Sequence, residues 1–191
     1  NNSRTHEIFV AVEAAGAFQV RALGARGVHP LFSSDGAWIY AGGDTSLVRI
    51  PVRGGAAAEV ARTPGISLGL SADGRSLYFM REPNESSLWR LSLASGEFSK
   101  ILEGLVPGCS SCWAPTPDGI YYLGASRLSF DSQILYFHDL KTDRNREVVE
   151  YPEPLTPLGS GPFSLSPDCR RLLCVRMHPA GADVMRVAPF R

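Results

Sequence analysis

The chain has 191 residues, and its 19 Lys and Arg side chains balance its 19 Asp and Glu side chains, so the formal net charge at pH 7 is zero. This balance argues against a nucleic-acid-binding surface, which needs an excess of basic residues. No apolar stretch reaches the roughly 20 residues of a membrane-spanning helix, so we expect no membrane insertion. Glycine and proline, with 19 and 14 residues, are abundant. Their abundance predicts many turns between short strands.

Four segments of the chain share a turn that is followed at once by a β-rich run. An Asp-Gly pair suits such a turn, because Gly accepts a positive φ and Asp bonds neighbouring amides. The turn residues are Asp35 and Gly36, Asp73 and Gly74, Asp118 and Gly119, and Asp168. In the fourth turn Cys169 replaces Gly, which predicts strain or a different turn type. Because one such aspartate recurs in every repeat, we interpret these residues as structural rather than catalytic.

The spacing of the turns predicts the fold class. The turn aspartates lie 38, 45 and 50 residues apart, close to the period of about 40–50 residues in propeller blades. Strands that are apolar on both sides follow each turn, as expected where stacked blades bury both faces. We therefore predict an all-β chain, a single β-propeller region over 1–191 with about four four-stranded antiparallel blades. The expected parts are two last strands of a blade at 7–23, whole blades at 28–62, 65–103 and 109–150, and three strands of a final blade at 160–188.

The first strand pair has a particular consequence for closure of the ring. Residues 7–16 align with residues 87–96, and both segments end on a glycine. A ring that closes by borrowing an outer strand needs one strand at its N-terminal end, not two. We therefore expect part of a larger ring, with a closed four-bladed ring as the alternative. Open blade edges predict self-association or the binding of another molecule.

Two adjoining segments carry a resemblance to known proteins. Residues 71–79 (SADGRSLYF) and 87–96 (SLWRLSLASG) resemble TolB-like, WD40-like β-propeller repeats. Residues 137–142 (FHDLKT) and the tail 183–191 (DVMRVAPFR) are similar to segments in the C-terminal propellers of bacterial winged-helix transcriptional regulators and Ser/Thr protein kinases. The resemblance implies a non-catalytic sensory or protein-interaction region of a larger signalling protein. It also implies an extracytoplasmic location if the region follows a membrane span, and a cytoplasmic one otherwise.

Two other functions stay open beside this one. The first is a TolB-like scaffold that docks a protein partner in the cell envelope. The second is the accessory propeller of a serine hydrolase. The ligand, protein or small molecule, is not identified by any motif in the chain.

The search for chemistry finds no catalytic constellation. Ser160 lies between Gly159 and Gly161, but Leu158 stands where the pattern Gly-x-Ser-x-Gly requires its first glycine. No phosphate-binding glycine loop and no calcium loop is present in the sequence. We therefore expect no catalytic residue, cofactor or metal in this chain and predict that it is not an enzyme, while a kinase or hydrolase domain upstream stays compatible with it.

Cys109 and Cys112 form a C-x-x-C motif. Such a pair serves as a redox centre or as half of a zinc site in other proteins. A redox pair normally lies at a helix N-terminus, whereas this one precedes Trp113 in an expected strand, and no second C-x-x-C completes a zinc site. We favour packed free cysteines, followed by a disulfide and then by metal or redox chemistry.

Two loops are candidates for binding a partner. The excursion at 124–131 contains Arg127, Phe130 and Asp131, which together would form a contact patch. A tolerated loop insertion is the alternative. The Pro-rich stretch 150–157 would offer an extended ligand-like segment, or would act as a stiff connector between blades.

Overall fold

The structure is a computed structural model that describes residues 6–125, 132–151, 163–178 and 181–187. Within these ranges sixteen β-strands form the regular secondary structure, which confirms the all-β prediction. The first sheet has the strand order β1 (His6–Ala14), β2 (Ala17–Phe32), β3 (Trp38–Gly42), β4 (Leu47–Pro51) and β5 (Ala58–Ala61). The second has the order β6 (Ile66–Leu70), β7 (Ser76–Met80), β8 (Ser87–Ser92) and β9 (Phe98–Glu103).

The remaining strands form two further sheets. The third sheet has the order β10 (Trp113–Pro115), β11 (Gly119–Ala125), β12 (Gln133–Asp139) and β13 (Arg144–Tyr151). The fourth has the order β14 (Phe163–Leu165), β15 (Leu172–His178) and β16 (Gly181–Val187). Strands adjacent in the chain pair antiparallel, as β3 does with β4 and β11 with β12. The predicted repeat of short antiparallel strands is therefore present.

Strand β2 pairs with two different strands along its length. Its first part, residues 17–27, pairs with β1, and its last part, residues 28–32, pairs with β3. The register shifts between Val28 and Leu31, and His29 takes a positive φ of 49°. The sequence placed a connection between two blades here, whereas the structure continues one strand across it. A single local irregularity is enough for the backbone to change partners.

Residue contacts divide the chain into two compact units, Asn1–Glu82 with Trp89–Ser99, and Pro83–Leu88 with Lys100–Arg191. The first unit contains two apolar clusters. One cluster packs β1 and β2 against β3 and β4, through Ile8, Val10, Leu23, Ala25, Ile39, Ala41 and Ile50. The other packs β3, β4 and β5 against β7 and β8, through Tyr40, Leu47, Ala61, Leu77, Phe79 and Leu91.

Strand β7 shows why these strands carry apolar residues at consecutive positions. Leu77 and Phe79 are fully buried, and so is Met80, whose side chain alternates to the opposite face. A strand with neighbours on both of its faces needs apolar side chains on both. The second unit has its own cluster, formed by Cys109, Cys112, Tyr121, Leu123, Leu135, Tyr151 and Leu172.

Candidate functional site

The residues that the sequence predicts for partner contact are not among those that the structure describes. Arg127, Phe130 and Asp131 lie outside the described residues. Of the Pro-rich stretch, Glu150 and Tyr151 end strand β13, and the rest also lies outside the described ranges. The candidate surfaces of the described chain are therefore the turns, the β1 edge and the side chains beside them.

Three of the four predicted turns have the same hydrogen-bond pattern, and we call them the Ser-x-Asp turns. In each, the Asp carboxylate accepts from the Ser hydroxyl two residues before it and from the backbone amide two residues after it. The Ser-to-Asp distances are 2.5 Å for Ser33–Asp35, 2.7 Å for Ser71–Asp73 and 2.5 Å for Ser166–Asp168. The Ser oxygen in turn accepts from an amide five residues along, as from Trp38 in the first turn. The side chains thus fix the backbone of the turn.

These bonds also affect the acidity of the three carboxyl groups. The hydrogen bond from the Ser hydroxyl is the largest cause that lowers the pKa of Asp35, Asp73 and Asp168, and the backbone amide bond adds to it. All three groups are exposed to solvent. Donors that hold a carboxylate in its charged form fit a structural role.

The third turn is built differently. Thr116 stands where the other turns have Ser, and its hydroxyl bonds to the carbonyl and amide of Gly119 instead of to Asp118. The Asp118 carboxylate accepts from Nζ of Lys141 at 3.1 Å. A Cβ atom at Gly119 would overlap the main-chain carbonyl of His138. Glycine is thus required here by close packing rather than by a positive φ.

The fourth turn keeps the pattern of the first two despite its cysteine. Cys169 donates its amide to the carbonyl of Ser166 at 2.8 Å, as Gly36 and Gly74 do in their turns at 2.9 Å. To do so it takes a φ of +54°. Of the two outcomes expected from the sequence, the structure therefore shows the strained turn. A left-handed conformation is unfavourable for a residue with a Cβ.

The C-x-x-C motif forms a disulfide between Cys109 and Cys112, whose Cα atoms lie 5.6 Å apart. The preference for packed free cysteines was wrong, and the disulfide that ranked second is present. Both residues are buried in the apolar cluster of the second unit. The amide of Cys109 bonds to the carbonyl of Val106, and the indole of Trp113 bonds to the carbonyl of Ser110. The disulfide therefore closes a short loop that is also held by its own backbone.

A Trp–Arg pair lies beside the first Ser-x-Asp turn. The guanidinium of Arg49 stands 4.7 Å from the centre of the Trp38 ring, in a cation–π contact. The turn fixes Trp38, because its amide donates to Oγ of Ser33 at 2.9 Å. Trp38 is half-buried and Arg49 is exposed. A rigid turn thus presents an aromatic face and a positive charge to solvent.

The second accessible feature is a groove along β1, which we call the edge groove. Two adjoining cavities of about 410 and 310 Å³ share Ile8, Phe9 and Pro30 in their walls. One wall is strand β1, which among the described strands pairs with β2 alone. The other wall is the last part of β2. His29 lines the larger cavity, and burial lowers the pKa of its imidazole.

The hairpin of β1 and β2 exposes one apolar face. Phe9, Phe18 and Val20 are 56%, 72% and 70% exposed. They share this face because Phe9 pairs with Ala22, and Val20 with Ala11, across the two strands. Exposed apolar groups of this size mark surfaces that another element covers.

The described ranges contain no cluster of three or more His, Cys, Asp or Glu side chains placed to hold a metal ion. In those same ranges no helix has the length and apolar character needed to cross a bilayer.

Comparisons with known proteins give similar structures only. No protein-family model and no curated protein sequence matches the chain. The structure of TolB from Acinetobacter baumannii matches over 95% of this chain and 46% of its own, with a TM-score of 0.65 and 14% identity. The structure of a putative TolB from Agrobacterium tumefaciens matches over 89% of this chain and 62% of its own, with a TM-score of 0.61 and 18% identity.

A third similar structure is an oligogalacturonate lyase from Vibrio parahaemolyticus. It matches over 92% of this chain and 53% of its own, with a TM-score of 0.59 and 13% identity. The chain thus spans about half of the length of these structures. Together with its repeated antiparallel sheets, the likeness to these structures shows the fold of a partial β-propeller.

One expectation from the sequence requires correction. The prediction that the chain is not an enzyme was drawn from the absence of a catalytic constellation in the sequence, and it is overturned because a structure of similar fold is named as a lyase. Fold and function are assigned on separate grounds.

Sequence reasoning missed both surface features of the first unit. Trp38 and Arg49 lie on adjacent strands, and their contact depends on the register of β3 with β4. The alternation of Phe18 and Val20 along β2 was a usable signal for the exposed face, because apolar residues at every second position of a strand share one side.

Proposed function

We propose that this chain is the protein-interaction region of a larger bacterial regulatory protein and acts there as a sensory or docking surface. The Trp38–Arg49 pair is the observation that carries this proposal. Tryptophan and arginine are enriched among the residues that dominate binding energy at protein interfaces. The pair is half-exposed and is held on a rigid turn, so little conformational entropy is lost when a partner binds.

The equivalent position in the next sheet provides a comparison. Arg90 occupies the place of Arg49, opposite Tyr78 as Arg49 is opposite Tyr40. Burial raises the pKa of Tyr78, and the positive charge of Arg90 opposes this shift. No tryptophan occupies the corresponding turn, where Ser76 stands in place of Trp38. The second turn therefore has no Trp–Arg pair of its own, and the cation–π contact of the second sheet joins Arg81 to Trp89 at 3.5 Å instead.

A photo-crosslinking experiment tests the proposal in the complete protein. A benzophenone amino acid at Ala37, which is exposed beside the pair, is expected to yield an adduct with one defined protein in cells. Trp38→Ala and Arg49→Ala are each expected to reduce that adduct at least tenfold. Arg75, at the same place in the second turn, provides the matched control position. Equal adduct yields from the two positions, or no loss in the two variants, would contradict the proposal.

A TolB-like scaffold that docks a partner in the cell envelope is the second candidate. The two TolB structures favour it, because they match nearly the whole of this chain. The complete reading frame separates the candidates. A winged-helix or kinase domain before the propeller supports the regulatory protein, whereas a signal peptide without such a domain supports the envelope scaffold. A Gly-x-Ser-x-Gly segment in the same frame would instead indicate the accessory propeller of a serine hydrolase.

A further inference from the structure

We infer that the Trp38–Arg49 pair and the hydroxyl of Tyr40 form a binding site for a single carboxylate group of a protein partner. The inference rests on the proposed interaction function and deepens it, because it states which chemical group of the partner the site receives. Three features of strands β3 and β4 lead to it: an arginine without a carboxylate partner, a tyrosine hydroxyl without a hydrogen bond, and apolar side chains beside them.

The register of β3 with β4 places the relevant side chains on one face. Tyr40 pairs directly with Arg49, and Trp38 pairs directly with Pro51. Residues directly opposite each other on antiparallel strands project to the same side of the sheet, and every second residue of a strand does so as well. All four side chains therefore lie on the same face of the two strands, where one ligand can reach them together.

The positive charge of Arg49 is not matched by a carboxylate of the described chain. In the described ranges the salt bridges involve other residues. Glu59, on the neighbouring strand β5, pairs with Val48 and so projects from the opposite face. The Asp35 carboxylate is engaged by hydrogen bonds within its own turn. The exposed guanidinium is therefore available to an anion of another molecule.

The ring of Trp38 orients the guanidinium. Cζ of Arg49 lies over this ring, 4.7 Å from its centre. The contact restricts the rotamers of a long side chain, so less conformational entropy is lost when a ligand binds. A guanidinium has its N–H donors in a fixed planar fork that matches the two oxygens of a carboxylate. The stacked Arg49 is thus prepared to bind a carboxylate through two parallel hydrogen bonds.

Tyr40 supplies a further donor. The residue is only 8% exposed, and the described part of the chain provides no hydrogen-bond partner for its hydroxyl. A polar group at such a position costs free energy until another group bonds to it. Burial raises the pKa of Tyr40, and the nearby positive charge of Arg49 opposes this shift. The hydroxyl therefore stays protonated and can donate to an anion that is bound at Arg49.

The charge of the site favours a carboxylate over a phosphate group. One guanidinium and one neutral hydroxyl carry a single positive charge, which matches the single negative charge of a carboxylate. A phosphate monoester carries roughly −1.5 to −2 charges at pH 7 and is typically bound by a cluster of arginines. The negative charge of Asp35 also contributes to the raised pKa of Tyr40, so it acts at the site and opposes a second negative charge there.

The apolar groups beside the two donors favour a peptide as the source of the carboxylate. Pro51 is half-buried and lies directly opposite Trp38, so a proline ring and an indole ring adjoin the guanidinium. A carboxylate with an apolar group next to it would contact both parts of this surface. A protein supplies this combination either at its C-terminus or at an acidic side chain that neighbours an apolar residue.

NMR titration of the chain with small probes tests the inference. N-acetylphenylalanine presents a C-terminal carboxylate, and N-acetylglutamyl-phenylalanine amide presents a side-chain carboxylate. We expect carboxylate binding to shift the indole signal of Trp38 and the Nε signal of Arg49, and the tighter probe identifies the source. N-acetylphenylalanine amide, which lacks the charge, should shift neither signal. No shift with either carboxylate, an equal effect of the amide, or tighter binding of phenyl phosphate would overturn the inference.

Three variants separate recognition from a structural role. Tyr40→Phe removes only the hydroxyl, and Arg49→Lys keeps the charge but removes the fork, so each is expected to weaken probe binding about tenfold. Tyr40→Phe should leave the melting temperature unchanged, because the hydroxyl has no partner in the described chain. Arg90→Ala, at the equivalent position of the second sheet where Ser76 replaces Trp38, is the matched control. Undiminished binding in either of the first two variants, or an equal loss in the control, would overturn the inference.

The probe titration and the crosslinking at Ala37 give separate answers. If the protein adduct forms but no carboxylate probe binds, the interaction function is supported and the carboxylate site is overturned. If the carboxylate probes bind but no adduct forms in cells, the site recognises carboxylates and the interaction function is contradicted.

Discussion

Arg21 donates a hydrogen bond from Nη2 to the main-chain carbonyl of Val52 at 2.6 Å, across 31 residues of sequence. Its second terminal nitrogen bonds to the carbonyl of Arg53 at 2.9 Å. One side chain of β2 thus satisfies two carbonyl groups of the turn after β4. This contact ties the hairpin of β1 and β2 to the end of β4 in the same sheet.

Replacing Arg21 by Gln is therefore expected to lower the free energy of unfolding by about 1 kcal/mol, the usual contribution of such a hydrogen bond. Urea denaturation followed by circular dichroism measures this change. Gln19→Ala, an exposed neighbour on the same face of β2, is the control and should leave stability within about 0.5 kcal/mol. Equal stability of the Arg21 variant and the control would contradict the structural role of the guanidinium.

Cys169→Gly is expected to stabilise the protein by about 1 kcal/mol, because glycine adopts the positive φ of this turn without the strain that a Cβ introduces. The variant also restores the Asp-Gly pair of the first three turns. Thermal denaturation measures the gain, and Cys169→Ala, which retains a Cβ, should show none. A gain in the alanine variant would instead assign the effect to loss of the thiol.

Ser71→Ala should raise the pKa of Asp73 towards its ordinary value, since the Ser71 hydroxyl is the largest cause of the lowered value. A carboxyl group whose pKa is lowered by folding stabilises the protein above its unfolded pKa, near 4. This contribution is lost as the pH falls through the lowered pKa of the folded state. NMR titration of Asp73 measures the shift, and Asp35 in the same variant is the internal control. An unchanged Asp73 titration would rule out the hydrogen bond as its cause.

The double variant Cys109→Ala/Cys112→Ala is expected to have a free energy of unfolding lower by about 2 kcal/mol, which is the chain-entropy value for a very short disulfide loop. Addition of dithiothreitol should destabilise the wild type by a similar amount and leave the double variant unchanged. Equilibrium urea denaturation under oxidising and reducing conditions makes the comparison. If dithiothreitol also destabilised the double variant, the loss of stability would not come from the Cys109–Cys112 disulfide.

The sequence predicted those parts of the fold that depend on local residue patterns. The turns at Asp35, Asp73 and Asp168 were recognisable because their hydrogen bonds connect residues within five positions of each other. The different hydrogen bonding of the third turn also has a signal in the sequence, since Thr116 replaces the Ser of the other turns. The contact of Arg21 with Val52 joins distant segments, and no local pattern encodes it.

The cysteine pair illustrates a different limit. The spacing of Cys109 and Cys112 is compatible with a disulfide, a metal site and two free thiols alike, so the spacing alone did not decide among them. The decision depends on the backbone of the loop, which brings the two Cα atoms to 5.6 Å, within the range that a disulfide spans. Partner contacts at Arg127, Phe130 and Asp131 stay a prediction, because those residues lie outside the described ranges.

The continuity of β2 has a consequence for cooperativity. Its 16 residues pair with β1 in their first part and with β3 in their last part, within one five-stranded sheet. If β2 detached, the apolar side chains of β1 on one side and of β3 and β4 on the other would both become exposed. The two should therefore unfold in one transition and behave as a single folding unit. A truncation between Ala17 and Phe32 would remove part of both, so a shortened protein has to retain β2 entire.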